Sequence, residues 1–278
     1  MTGCLGLLGG GKSAPGASGG GGGGFNAATY GTVLAWYDFT DSTKVLDNFG
    51  ASATNGVAVD KVVDKSSNGF DARQTSSTSR PTVVTALING LQGLNFDGAN
   101  DFLQCPSSRS LIKNLSGITI VSVHNVDTLT ASNGVFECET GAAKRIRLRH
   151  LSTDGQWATE IKAQDAGTDD EFYSGGGAPL AIDTWTISIW VIDFSGNTLK
   201  VWSNGTQKGS TVADIHSSGN LSNTDLAEDP VLYAGDVFAS LPFDGQAAQF
   251  IIYSGAMNDT NRDLLETALG SLFAITVV

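Results

Sequence analysis

The chain has 278 residues, 41% of them hydrophobic, and a formal net charge of −12 at pH 7. That is enough apolar material for one large core, while no apolar run approaches the ~18 residues a membrane-spanning helix needs. The negative charge repels a phosphate backbone, so neither nucleic acid nor membrane insertion is expected. Cys4, Cys105 and Cys138 cannot all pair and lack CxxC spacing, so they read as thiols of a protein assembled in a cytoplasm.

Residues 1–29 read as an arm and linker, and residues 30–278 as the folded domain. The arm holds an apolar tip at Leu5, Leu7 and Leu8, a single charge at Lys12, and six consecutive glycines before Phe25. Glycine loses the most backbone entropy on ordering, so this run has little tendency to fold alone. As a flexible coil, residues 16–24 would reach about 15–18 Å. Cys4 has too few residues ahead of it for a lipoprotein signal, and no export address is recognisable. Leu5, Leu7, Leu8 and Phe25 are the candidate anchoring residues, to be inserted into a larger scaffold.

From Tyr30 onward, apolar and polar residues alternate with period two between Gly, Asn, Asp and Ser turns, the pattern of an all-β antiparallel sandwich. Strands are expected at Val33–Phe39, Leu91–Phe96, Ile118–Val126, Gly134–Cys138, Arg145–His150, Trp185–Phe194, Thr198–Ser203, Val231–Gly235 and Gln246–Ser254. Asn204-Gly205 is a strong turn signal because both positions tolerate positive φ. The basic run Lys144-Arg145-Ile146-Arg147-Leu148-Arg149 alternates as a strand with one solvated face. One helix is expected, capped by Thr260 and ending near Phe273, with Leu264, Leu265, Ala268, Leu269 and Leu272 on its packed side.

Five ordered pieces carry a family resemblance: Trp36-Tyr37-Asp38-Phe39, Asp64-Lys65-Ser66-Ser67-Asn68-Gly69, Leu94-Asn95-Phe96-Asp97-Gly98 with Asp101 and Leu103, Asn204-Gly205, and Asp244-Gly245 leading to Phe250-Ile251-Ile252-Tyr253. In that order they resemble the laminin-G-like, concanavalin-A-like jelly-roll domains over about residues 30–273. The resemblance implies a jelly-roll β-sandwich with a short C-terminal helix. With the Gly-rich arm ahead of it, the chain is similar to virion proteins of tailed bacteriophages, such as head decoration proteins, head fibres and tail-associated proteins.

Several residues invite chemical roles. Trp185, Trp190 and Trp202 could form a sugar-stacking platform, although such residues more often fill a sandwich core. Asp169-Asp170-Glu171, and more weakly Asp97 with Asp101, could offer oxygen ligands to Ca²⁺; a solvated loop is the plainer account of the first. No E-x-D-x-x-E pair of catalytic glutamates is present: Glu137-Cys138-Glu139 lacks the rest of the pattern, and Glu160 and Asp165 fall on opposite faces of a regular strand. His124, His150 and His216 read as isolated. No catalytic residue, metal ligand or cofactor is therefore assigned, with Ca²⁺ the one cation left open. The leading expectation is a non-enzymatic structural protein on the exterior of a phage particle, attached through its arm to capsid or tail proteins, with a homotrimer suggested by analogy. The alternative is a lectin-like, carbohydrate-binding module for host-surface glycans, whose glycan-binding residues the sequence does not single out.

Overall fold

Alternating residues with turn signals between them give the chain its strands, and their outward and inward parities decide how those strands stack. The computed structural model describes residues 24–112, 115–140, 144–151, 157–162, 170–173, 180–213, 215, 229–234 and 241–278. In chain order these form β1 (Val33–Asp38), β2 (Val45–Leu46), β3 (Lys61–Val62), β4 (Ala72–Arg73), β5 (Thr82–Ile88), β6 (Leu91–Asp97), β7 (Leu103–Gln104), β8 (Gly117–Val126) and β9 (Asn133–Thr140). They continue with β10 (Lys144–His150), β11 (Trp157–Lys162), β12 (Asp170–Tyr173), β13 (Thr186–Asp193), β14 (Thr198–Ser203), β15 (Thr206–Gln207), β16 (Val212–Ala213), β17 (Val231–Leu232), β18 (Asp244–Ser254) and the helix α1 (Asp259–Phe273).

Two nine-stranded antiparallel sheets result. The first runs β15-β14-β13-β8-β18-β6-β5, with β16 on β14 and β1 on β18; the second runs β12-β11-β10-β9-β17-β7-β4-β3-β2. Strand β18 organises the first sheet. One edge pairs with β8 from Gly245 to Ser254, while the other is shared by β6 at Asp244–Ala247 and β1 at Gln249–Tyr253. A register shift between Ala247 and Gln249 marks the handover and turns both Ala248 and Gln249 outward.

Two apolar layers hold the molecule. Between the sheets lie Phe96, Ile120, Phe136, Leu148, Trp190, Tyr233 and Phe250, all essentially inaccessible. The second layer covers part of the first sheet's outer face, where Trp36, Val121, Val123, Ile189 and Ile251 meet Leu265, Leu269 and Phe273 of α1. Fully burying such side chains stabilises by roughly 1.5–3 kcal/mol each relative to exposure. The chain is already packed at Phe25, which stacks on Tyr30 at 5.9 Å and meets Trp36 edge-on at 5.7 Å. Asn26 caps a short 3₁₀ turn over Ala27–Thr29, and the Tyr253 hydroxyl donates to the Ala27 carbonyl at 3.1 Å.

The helix differs from expectation in two respects. Its N-cap is Asn258, whose side chain accepts from the Asn261 amide at 2.9 Å. Two residues earlier than Thr260, it starts the helix where the chain leaves β18. The buried stripe is Arg262, Leu265, Glu266, Leu269, Gly270 and Phe273, while Leu264 is 49% exposed. Leu265 and Leu269 are buried and Leu272 packs against the outer layer as expected, but Leu264 is not part of the stripe, which takes in two charged residues instead. The Arg262 guanidinium lies over the Trp202 ring, 3.4 Å from its centroid, and donates to Glu266 at 2.5 Å. Glu266 in turn accepts from the Gly205 amide at 2.8 Å. Asn204 and Gly205 both have positive φ, as the turn signal requires, and the side chain glycine lacks would strike the C-terminal Val278.

The most recognisable loop is a structural staple. Asp64 Oδ1 accepts from the Trp36 and Ser66 amides at 2.9 and 2.8 Å, and Oδ2 from the Ser66 hydroxyl and Phe70 amide at 2.6 and 3.0 Å. Lys65 bridges Asp38 and Asp41 while lying over Trp36, and Asn68 donates to the Leu34 carbonyl at 2.9 Å. These contacts tie the loop to β1.

Candidate functional site

The first sheet's outer face is covered only in part. On β18 the burial alternates from Asp244 to Ala247 and is then continuous from Ala248 to Tyr253, so the cover begins at the bulge. On the bare side, register pairs Asn95 of β6 with Gln246 of β18, and Gln246 with Asn125 of β8. Directly opposed residues share a face, and here their amides chain together. Asn125 Nδ2 donates to Gln246 Oε1 at 2.9 Å, and Gln246 Nε2 donates to Asn95 Oδ1 at 3.2 Å and Asp127 Oδ2 at 2.7 Å.

The next row of the same face, on the side away from the bulge, carries aspartates. Asp97 and Asp244 are a directly opposed pair, and Asp127 sits beside them, its amide donating to the Asp244 carbonyl at 2.9 Å. Burial first, then Asp127 and Asp97, raises the Asp244 pKa. Burial raises that of Asp127, opposed by the Gln246 hydrogen bond, with the Asp183 charge adding to it. Asp101 accepts from the Asp97 amide at 3.1 Å, and burial followed by the Asp97 charge pushes its pKa up to about 6. Among the described residues no Lys or Arg forms an ion pair with any of these aspartates. The aromatic border is Trp185, which is half-buried. It precedes β13 and packs against the apolar outer layer, and its neighbour Thr186 pairs with His124, next to Asn125.

Two amides on this face have polar atoms left over. Among the described residues, Asn125, 8% exposed, has no donor to its Oδ1, and Gln249 at the bulge, 1% exposed, has no partner for either amide atom. Buried amides are ordinarily satisfied by protein, water or ligand. The accessible part of the face offers an amide ladder of fixed spacing beside a row of carboxylates.

The expected site residues fall in different places. Trp190 is fully buried between the sheets, whereas Trp202 faces the outer layer beneath Arg262, so the three tryptophans form no common platform. Opposite strand parities send Trp190 inward and Trp202 outward. Asp97 and Asp101 do come together, but their carboxylates accept from backbone amides of their own turn. Asp169 lies outside the described residues, while Asp170 and Glu171 belong to β12. Among the described residues no group of three or more His, Cys, Asp or Glu has a metal-holding arrangement. Leu5, Leu7 and Leu8 also lie outside the described residues; Phe25, described above, packs on the domain itself. Cys105 and Cys138 are buried in the inter-sheet core, and burial pushes the Cys105 thiol up to about 12.

Two expectations change. The histidines are not all isolated: His124 of β8 and His150 of β10 meet across the core, Nε2 to Nε2 at 2.9 Å. Ser122 links His124 Nδ1 at 2.8 Å to the Tyr233 hydroxyl at 2.9 Å. Inward parity on facing strands brings them together. His216 lies outside the described residues. Nor is the basic strand β10 simply solvated, because Arg147 grips the 1% exposed Glu137 of β9 with two hydrogen bonds of 2.8 and 2.7 Å. Register makes these two opposed neighbours.

No protein-family model and no curated protein sequence matches the chain. Solved structures do. Domain 4 of the arabinanase AbnA from Geobacillus stearothermophilus, in complex with arabinotriose, aligns with TM-score 0.56 at 17% identity, over 84% of this chain and 98% of that one. The CBM40 of the Ruminococcus gnavus IT-sialidase, bound to α2,3 sialyllactose, gives 0.52 at 15% identity, over 67% and 96%. A GH54 α-L-arabinofuranosidase gives 0.61 at 12% identity, over 88% of this chain and 64% of that one. At these identities the likeness is one of fold: this chain is a β-sandwich of the kind found in carbohydrate-binding modules.

Proposed function

We propose that the domain is a carbohydrate-binding module and that the bare half of the first sheet's outer face is its binding surface. The observation that carries the reading is the Asn95–Gln246–Asn125 amide ladder beside the half-buried Trp185. Sugar hydroxyls both donate and accept, and a fixed row of amides and carboxylates matches that chemistry. A tryptophan edge adds apolar contact for the sugar's C–H faces. Two of the fold neighbours were solved with an oligosaccharide, arabinotriose in one and sialyllactose in the other, which supports the class of ligand.

Binding is proposed without bond cleavage. The test is a glycan array and calorimetry on the full chain, with Gln246→Ala as the control and release of reducing sugar followed in parallel. Binding lost in Gln246→Ala, with no sugar released, is expected. Glycan binding indifferent to Gln246 would move the site elsewhere, and a chain that binds no glycan would end the reading. Attachment of the module to a phage particle through residues 1–24 is a separate proposal that stands on the sequence alone. Removing those residues and following incorporation into particles tests it.

A further inference from the structure

The charge of this face narrows its ligand. We propose that the site selects glycans that carry no acid group, rejecting sialic and uronic acids; the inference rests on the proposed glycan-binding role of the same surface. Asp97, Asp244 and Asp127 form the row next to the amide ladder on its side away from the bulge, with Asp101 beside Asp97, and no described basic side chain forms an ion pair with any of them. The polar atoms left over tell the same story. Among the described residues, Asn125 Oδ1 is a buried acceptor within the ladder without a donor. Asp244 makes no side-chain hydrogen bond among those described, which leaves its carboxylate open to a donor; burial and its two acidic neighbours raise its pKa.

A sugar hydroxyl supplies that donor. A sugar carboxylate brings a further negative charge and acceptors only, and like charges juxtaposed at low salt oppose binding. The alternative use of clustered carboxylates, a metal site, lacks the arrangement, since no three potential ligands converge among the described residues. The rejection is a repulsive device, built from charge against the wrong ligand rather than extra contact with the right one. It separates this face from any surface suited to sialyllactose, the ligand seen with one fold neighbour.

The experiment titrates the full chain with two panels at low and moderate salt. One contains neutral oligosaccharides, arabinotriose and gluco-, xylo- and manno-oligosaccharides; the other contains 3′-sialyllactose and oligogalacturonate. The best neutral ligand is expected to bind about tenfold or more tightly than any acidic one, a gap of about 1.4 kcal/mol or more, and the gap should shrink as salt rises. The double variant Asp127→Asn with Asp244→Asn keeps an acceptor for Gln246 and should bring the two panels within about threefold of each other. Its folding is checked by its thermal transition. Acidic glycans binding as well as neutral ones overturns the inference while leaving glycan binding in place; a gap unchanged in the double variant also overturns it. No binding by either panel removes the underlying reading and this inference with it.

Discussion

One face of the first sheet is two surfaces. Past the bulge at Ala248 and Gln249 it is apolar and roofed by α1 together with Phe25 and Tyr30; before the bulge it is a bare field of amides and carboxylates. The same strands β8 and β18 run through both halves, so the backbone is shared and only the outward side chains differ. Covering one half secures the domain, and leaving the other exposed preserves a rigid polar surface on strands held from beneath by the inter-sheet core. Sites built on such elements are positioned more accurately than sites on loops.

The largest expected effect breaks the covered half. Phe273→Ala removes a 2% exposed ring from the outer layer and should cost about 3–5 kcal/mol, read by chemical denaturation. Glycan affinity of the fraction that remains folded should be unchanged.

Next comes the core shared by both halves. Burial lowers the His124 pKa to about 3 and, with the His124 neighbour adding to it, holds His150 well below the ordinary histidine range. The unfolded chain titrates near 6.5, so the neutral pair contributes its full stability above that pH and loses it as pH falls below. At pH 5 His124 should cost about 2 kcal/mol, with His150 adding in the same direction, and denaturation followed from pH 7.5 to 5 checks the slope. Replacing His124 by Phe and His150 by Leu should flatten it. Asp101 acts with the opposite sign: its raised pKa makes the charged form unfavourable in the fold, a penalty that grows as pH rises through about 6. Asp101→Asn should therefore stabilise the protein at pH 7.5 by about 1 kcal/mol and have little effect at pH 4.

The open half gives a smaller stability effect and a larger binding one. Gln246→Ala should lower stability by about 1 kcal/mol while reducing glycan affinity about tenfold or more. Smallest of all, removal of residues 1–24 should leave the thermal transition and glycan affinity within error, because it keeps Phe25 and its contacts with Tyr30 and Trp36.

Much of the frame was readable from residue pattern. Val33–Asp38, Thr198–Ser203 and the long strand ending at Ser254 follow from alternation, and Asn204-Gly205 from turn chemistry. The same dipeptide at Asn89-Gly90 marks the β5–β6 turn, both residues again at positive φ, and was the signal that would have found β5. The site was less readable. Asn125 and Gln246 are 121 residues apart, and Asn95 and Gln246 are 151 apart; parity assigns each to a face but does not say which strands become neighbours. Nor does parity reveal where a face stops being covered. That depends on a helix whose packed stripe includes Arg262 and Glu266, charges that pair with each other and are seated by the Trp202 ring and the Gly205 amide only once the tertiary structure exists. His124 and His150 were hidden for the same reason, lying on strands of different sheets.

The most direct measurement follows the side-chain amide resonances of Asn95, Asn125 and Gln246 during titration of the full chain with its best-binding neutral oligosaccharide. These three, with the Trp185 indole, are expected to shift together and saturate at one dissociation constant, while the Arg147 Nε resonance on the second sheet stays fixed. Saturable binding that moves Arg147 and leaves the three amides unmoved would contradict the account.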